Sequence, residues 1–147
     1  MPLSLGSFTV VDTETTDADP ATCRVVEAGA AVFRGGYLSH DASQCVNPGV
    51  PMHPDAARIT GICDAALAHA PKLAGASIVK MFRDPQLVGY NSEAFDRPVL
   101  ERELPELLRR PWLDVFVFVS WHLRHLPKRN LCALAEHLKI PMGAAHG

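Results

Sequence analysis

Little in this chain points to a special environment. Its four cysteines, Cys23, Cys45, Cys63 and Cys132, are scattered through 147 residues. With no CxxC pair among them, a zinc ribbon and a thioredoxin-like redox motif are excluded, and free buried thiols are the expectation. No apolar run approaches the ~20 residues that a bilayer crossing needs. The stretch from Met1 to Thr9 combines neither a basic start nor a long apolar segment, so an unprocessed, cytoplasmic protein with no membrane partner is expected. Charge of one sign is lacking too. Fourteen Lys and Arg against sixteen Asp and Glu leave a net charge of −2, which excludes the basic excess of a nucleic-acid coat protein or a polybasic membrane binder. Any polyanionic ligand must therefore be held locally. Repeats, low-complexity tracts and long linkers are also missing, so residues 1–147 read as a single domain.

What is present suits a folded core: 48% of residues are hydrophobic and 20% charged. Phe8 to Asp12 is a β-branched run bounded by Gly6 and a Thr/Asp-rich turn, and it predicts a strand buried on both faces. Val25 to Phe33 and Tyr37 to Val46 predict two further strands, antiparallel to each other, with Gly35-Gly36 as their hairpin turn. After Asn47-Pro48-Gly49 the spacing becomes helical. Asp55 to Ile59 and Asp64 to His69 are short candidates, and Lys72 to Phe82 is a longer one. Gln86 to Tyr90 predicts a short strand, then a helix running into Leu104 and Leu108, either started near Arg97 or kinked at Pro98. Leu113 to Val119 fits strand or buried helix, and Asn130 is a good N-cap for a helix stopped by Pro141. Strands first, then helices alternating with short strands, predict an α/β sandwich on a mixed sheet.

Three segments can carry chemistry. In Val10-Val11-Asp12-Thr13-Glu14-Thr15-Thr16, side chains two apart on a strand share a face, which brings the Asp12 and Glu14 carboxylates together. Two such anions must take up a proton, find a cation or bind a metal ion, and no Lys or Arg lies within the segment. Hard oxygen ligands suit Mg²⁺ or Mn²⁺. A lone Asp-x-Glu also fits a turn that ends a strand. In Gly89 to Asp96 the chain leaves a short strand and places Phe95 for packing and Asp96 one position further round a helix. That aims a third carboxylate at the strand ends, unless Asp96 is simply a first-turn acid favoured by the helix dipole. Third, His146 follows a helix and a Pro/Gly loop, where an imidazole can act as a base near neutral pH or be a surface histidine near the chain end. Other groupings are weaker. His122 and His125 lack a third metal ligand at suitable spacing. Trp112, Phe116, Phe118 and Trp121 read as core rather than a base-stacking platform, and Lys128 and Arg129 as solvated cations.

Taken in order, these segments resemble the DEDD superfamily of 3′–5′ exonucleases. The likeness is to its histidine-containing branch, which includes the proofreading subunit of bacterial replicative polymerase, ribonuclease T and oligoribonuclease. VVDTETT is similar to that family's first motif, NSEAFDRPVL to its second and LCALAEHLKIPMGAAHG to the approach to its third. The intervening RVVEAGAAVF, VNPGVPMHPDAARITGICDAAL and LVGYN also resemble it. The resemblance implies a ribonuclease H-like three-layer sandwich and two-metal phosphodiester hydrolysis, with two Mg²⁺ or Mn²⁺ ions, at a single-stranded or frayed 3′ end of DNA or RNA. It implies Asp12, Glu14 and Asp96 as metal ligands, His146 as general base, and substrate contacts at Thr15, Ile62, Asn91 and Phe95. It also implies a structural role for Asp114 and possible membership of a polymerase assembly. Asp17, Tyr90 and Thr60 stand where the family usually has Gly, His and His. The family's fourth carboxylate would lie five residues past His146, beyond Gly147. The expectation is thus a C-terminally truncated domain lacking its last helix, one side of the sheet poorly covered. The alternative is a catalytically impaired module that binds nucleic acid or protein on the same fold.

Overall fold

The computed structural model describes residues 6–83 and 86–142. One mixed sheet of five strands runs in the order β3-β2-β1-β4-β5. Its strands are β1 (Phe8–Thr15), β2 (Val25–Arg34), β3 (Tyr37–Cys45), β4 (Leu87–Gly89) and β5 (Trp112–Asp114). The first three pair antiparallel, while β4 and β5 add on in parallel. Gly35 and Gly36 turn the β2–β3 hairpin with φ of 57° and 87°, the left-handed pair that a two-residue hairpin turn requires. Five α-helices complete the described fold: α1 (Pro54–Thr60), α2 (Asp64–Leu67), α3 (Asp96–Glu103), α4 (Val115–His122) and α5 (Leu131–His137). None of them is long and apolar enough to cross a membrane.

β1 is buried on one face, not on both as its β-branched run predicts. Thr9, Val11, Thr13 and Thr15 are buried, Phe8 and Val10 are half-buried, and Asp12 and Glu14 are exposed. The buried face meets the main core, in which Val11, Ala28 and Ala30 pack with Phe82, Val99 and Leu100. A register irregularity between Glu14 and Thr15 leaves Val26 unpaired, since Glu14 faces Glu27 and Thr15 faces Val25. Such a bulge redirects neighbouring side chains. Val25 accordingly joins the main core, while Val26 joins a second one with Met52 and Leu67, against which Ala56, Ala57 and Ile62 pack. This second core seats α1 and α2 beside the end of β1.

The helical reading of Lys72 to Phe82 is replaced by two 3₁₀ stretches, Leu73–Gly75 and Ser77–Arg83, parted by Ala76 in an extended conformation. Gly75 weakens a continuous helix. From β3, the Gln44 side-chain oxygen Oε1 accepts the Ser77 hydroxyl and the Ile78 N–H at 3.0 Å each, restarting the coil at that point. α3 likewise stops at Glu103 rather than running on to Leu108, because Pro105 follows and opens a separate 3₁₀ turn over Pro105–Arg109. Leu113 to Val119 resolves into both of its readings. Asp114 ends β5 and caps α4 by accepting the Phe116 N–H at 2.9 Å. Asn130 caps α5 as predicted, accepting from Ala133, but the helix ends with Lys139 in the left-handed region, before Pro141 is reached.

Two expectations about packing are corrected. Of the four cysteines only Cys23 is buried. α4 carries no charged residue, yet Val119 alone of its residues is buried; Phe118 is 59% exposed and Trp121 73%. These two aromatic residues are therefore not core. α4 rests on the sheet at β4, and a helix apolar all round must then turn its remaining apolar side chains outward.

Candidate active site

β4 is three residues long, and its pairing with β1 covers only Thr9 and Val10. Beyond that point the β1 edge lacks a strand partner, and Asp96 fills the gap. One oxygen of its carboxylate accepts both the Thr13 N–H at 3.0 Å and the Thr13 hydroxyl at 2.6 Å. The first residue of α3 is thereby locked to β1 with only 6% exposure. The loop that delivers Asp96 is set by Asp114, whose carboxylate accepts the N–H groups of Asn91 at 2.8 Å and Glu93 at 3.0 Å as well as that of Phe116. This is the structural aspartate that the sequence implies. At the start of the same loop Ser92 presses on Gly89, where an added Cβ would stand 2.4 Å from the serine Cβ.

Asp12 and Glu14 project from the opposite face of β1 to Thr13. Their cross-strand neighbours on β2 are Gly29, which offers no side chain to cover Asp12, and Glu27, which sets a further carboxylate against Glu14. The resulting field is strongly anionic. Burial pushes the Asp96 carboxyl up to about 6, with Asp12 adding to the rise and the Thr13 hydrogen bonds opposing it. Asp12 is open by surface area, but the protein atoms around its carboxyl desolvate it and raise it, Glu27 adding to the rise and the Thr13 backbone hydrogen bond opposing it. Glu14 is raised by burial, then by Asp12, Glu27 and Asp96. The cations nearby are engaged elsewhere: Arg97 binds Glu93 at 2.7 Å and Glu101 at 2.9 Å, and Arg24 pairs with Glu103. Among the described residues, none pairs with these carboxylates.

The donor chemistry fits a hard divalent cation. Among the described residues no three His, Cys, Asp or Glu side chains are gathered tightly enough to enclose an ion by themselves. Mg²⁺ does not require such a cage, because it keeps several waters and binds through one or two carboxylates plus substrate phosphates. Asp12, Glu14 and Asp96 would supply those carboxylates, and a cation there would offset the burial that chiefly raises all three and the carboxylate repulsion that adds to it.

A cavity of about 520 Å³ opens beside Glu14, walled by Thr13, Thr15, His53, Ile59, Thr60 and Phe95 among others. The sequence-predicted residues Thr15 and Phe95 thus meet Glu14 here. Ile62 and Asn91 do not. Ile62 packs on the second core, and Asn91, with φ of 58°, lines a different cavity with Tyr90, Phe116 and Arg129, where the Tyr90 hydroxyl donates to the Arg129 carbonyl. His146 lies outside the described residues. Glu27, His53 and Ile59 were missed from sequence. Glu27 is revealed only by the β1–β2 register, and a His-Pro pair opening a helix was the available signal for His53.

Comparison with known proteins agrees with this architecture. Exonuclease X in complex with 5′-overhanging duplex DNA superposes with a TM-score of 0.72 at 23% identity, over 95% of this chain and 78% of that one. E. coli exonuclease I in complex with a dA16 oligonucleotide gives 0.77 at 22% identity, over 97% and 37%. The shared fold is the ribonuclease H-like exonuclease fold. In sequence, the chain is 26% identical over 148 aligned residues to the PolC-type DNA polymerase III of Oceanobacillus iheyensis, covering 95% of this chain but only 10% of that protein. Matched by the exonuclease family from residue 9 to residue 147, the chain belongs to that family, within the DEDD superfamily.

Proposed function

We propose that this chain is a divalent-metal-dependent 3′–5′ exonuclease domain of the histidine-containing branch. It acts in the cytoplasm on a single-stranded or frayed 3′ end of DNA or RNA and releases nucleoside monophosphates. The observation that carries the reading is the placement of the Asp12 and Glu14 carboxylates on one face of β1 with Asp96 locked to the same strand through Thr13, lacking a cationic partner among the described residues. Asp12, Glu14 and Asp96 hold two Mg²⁺ or Mn²⁺ ions, which when bound supply charge neutralisation and activation of water at the scissile phosphate. Thr13 holds Asp96 in place through two hydrogen bonds. The cavity beside Glu14 receives the terminal nucleoside, with Thr15 and Phe95 on its wall, and His146 takes the proton from the attacking water. The kinship with a PolC-type polymerase supports association with a replicative polymerase.

Mononucleotide release from a 3′-labelled oligonucleotide, with and without Mg²⁺ and with Asp12→Ala as the blank, is the direct test. Release that depends on both the ion and Asp12 is expected; release equal in the blank overturns the reading. The open spacing of the carboxylates favours a second reading, a domain that binds nucleic acid or protein without cleaving. Calorimetric titration with Mn²⁺ separates the two: tight binding lost in Asp12→Ala supports the nuclease, and negligible binding supports the module.

A further inference from the structure

The cavity beside Glu14 holds a hydrogen-bond donor that the carboxylate site does not use. His53 is the N-cap of α1, and its Nδ1 accepts the Asp55 N–H at 3.2 Å. A neutral imidazole that accepts at Nδ1 carries its proton on Nε2. Among the described residues no group accepts that proton. The backbone is pinned as well, since the His53 N–H donates to the Thr16 carbonyl at 2.8 Å and its own carbonyl accepts the Ala57 N–H at 3.0 Å. The side chain, 58% exposed, stands on the cavity wall. Ser, Thr, Asn or Asp would cap the helix equally well, so capping alone does not account for an imidazole at this position.

The surroundings select what that donor meets. Glu14, Asp17, Asp19 and Asp55 line the same cavity, so an anionic group placed deep within it would be repelled. Ile59 and Phe95 offer apolar surface to a flat neutral ring instead. We propose that His53 is a specificity-determining residue, its Nε2 proton donated to a carbonyl or ring-nitrogen acceptor on the terminal nucleobase. This rests on the nuclease reading above and adds to it a residue that reads the base.

The test uses His53→Ser, which retains a capping oxygen, on two oligonucleotides that differ only in whether the 3′-terminal residue is thymidine or an abasic sugar. With the thymidine end KM is expected to rise about fivefold with kcat little changed, the effect of losing one hydrogen bond, and with the abasic end neither parameter moves. Equal losses on both ends would overturn the proposal in favour of a sugar-phosphate contact, and no loss on either would leave His53 a helix cap only. A second readout needs neither metal nor turnover: the ¹⁵N resonance of His53 Nε2, followed in EDTA as the uncharged nucleoside thymidine is added. A shift that inorganic phosphate does not reproduce supports the contact; a resonance that stays put, or answers to phosphate alone, overturns it. The two readings fail separately. If the wild-type chain cleaves no nucleic acid while the resonance still moves with thymidine, the nuclease reading falls and the contact stands. If the wild type cleaves and His53→Ser behaves identically, the contact falls and the nuclease reading stands.

Discussion

The two ends of the described chain are built on opposite terms. From Asp12 to Asp64 there are eight acidic residues and only Arg24, Arg34 and Arg58 to offset them; from Val115 to Met142 there is one acid, Glu136, against Arg124, Lys128, Arg129 and Lys139 with three histidines. The acidic region is firmly tied down, through the Asp96–Thr13 lock and two cores that meet at the Val26 bulge. In the basic region α4 and α5 bury few side chains and turn Phe118, Trp121, Leu131 and Ile140 outward. A net charge near zero conceals this partition. Repulsion costs stability, so concentrated charge of one sign has to be held by the strongest part of the scaffold, and here that is where the carboxylates sit.

The largest expected effect tests the acidic side directly. Asp12 projects from the exposed face of β1 and fills no core space, so in Asp12→Ala folding should survive while nucleotide release falls on the order of a thousandfold, the scale of losing a preorganised electrostatic contact. Single-turnover rates alongside far-ultraviolet circular dichroism check this. A rate within tenfold of wild type would mean that the acidic cluster is only a strained surface.

The next largest concerns the clamp that ties the loop before α3 to the first turn of α4. Asp114 accepts three backbone N–H groups, two from the loop before α3 and one from the first turn of α4. Asp114→Ala leaves them without an acceptor, and hydrogen bonds to a charged group are worth about 1.5–3 kcal/mol each, part of which is recovered where water enters the space the carboxylate leaves. A loss of about 3 kcal/mol in urea unfolding is expected, with activity falling in parallel because the same loop carries Asp96.

A pH series in EDTA sharpens the contrast further. The Asp96 carboxyl is raised from 3.8 to about 6 in the folded protein, so the folded state binds its proton more tightly than the unfolded one. Its stabilising contribution is therefore full below about pH 4 and is lost as pH rises through 6. Asp12 and Glu14 are displaced in the same direction. Asp96→Asn retains an oxygen for the Thr13 N–H and hydroxyl but no longer ionises, so its stability should fall less than that of wild type between pH 4 and 7, by about 2–3 kcal/mol. Parallel curves would show that burial does not penalise this carboxylate.

Legibility in sequence did not follow this division, for a physical reason. Period two along a strand is rigid, so Asp12 and Glu14 had to share a face, and Gly35-Gly36 and Asn130 each answer a local backbone demand that their own chemistry satisfies. What stayed hidden depends on distant partners. The break at Ala76 is shaped by Gln44, more than thirty residues away. Glu27 meets Glu14 only through a register that contains a bulge, and the His53 cavity closes between elements that no periodicity relates. The apolar run of α4 misled because hydrophobicity reports what a segment would gain from burial, not whether a neighbour is there to bury it.

That last point yields the smallest expected effect. Leu100, fully buried in α3, should cost about 2–5 kcal/mol on truncation to Ala, whereas Trp121, the larger side chain, is 73% exposed in α4 and should cost less than about 0.5 kcal/mol. Urea unfolding of the two variants beside wild type measures both. Ranking by residue type alone would put the tryptophan first, and the exposure of α4 reverses that order. If Trp121→Ala proves as costly as Leu100→Ala, α4 is packed in solution against something that covers its outer face, and the two regions are more alike in construction than their surfaces imply.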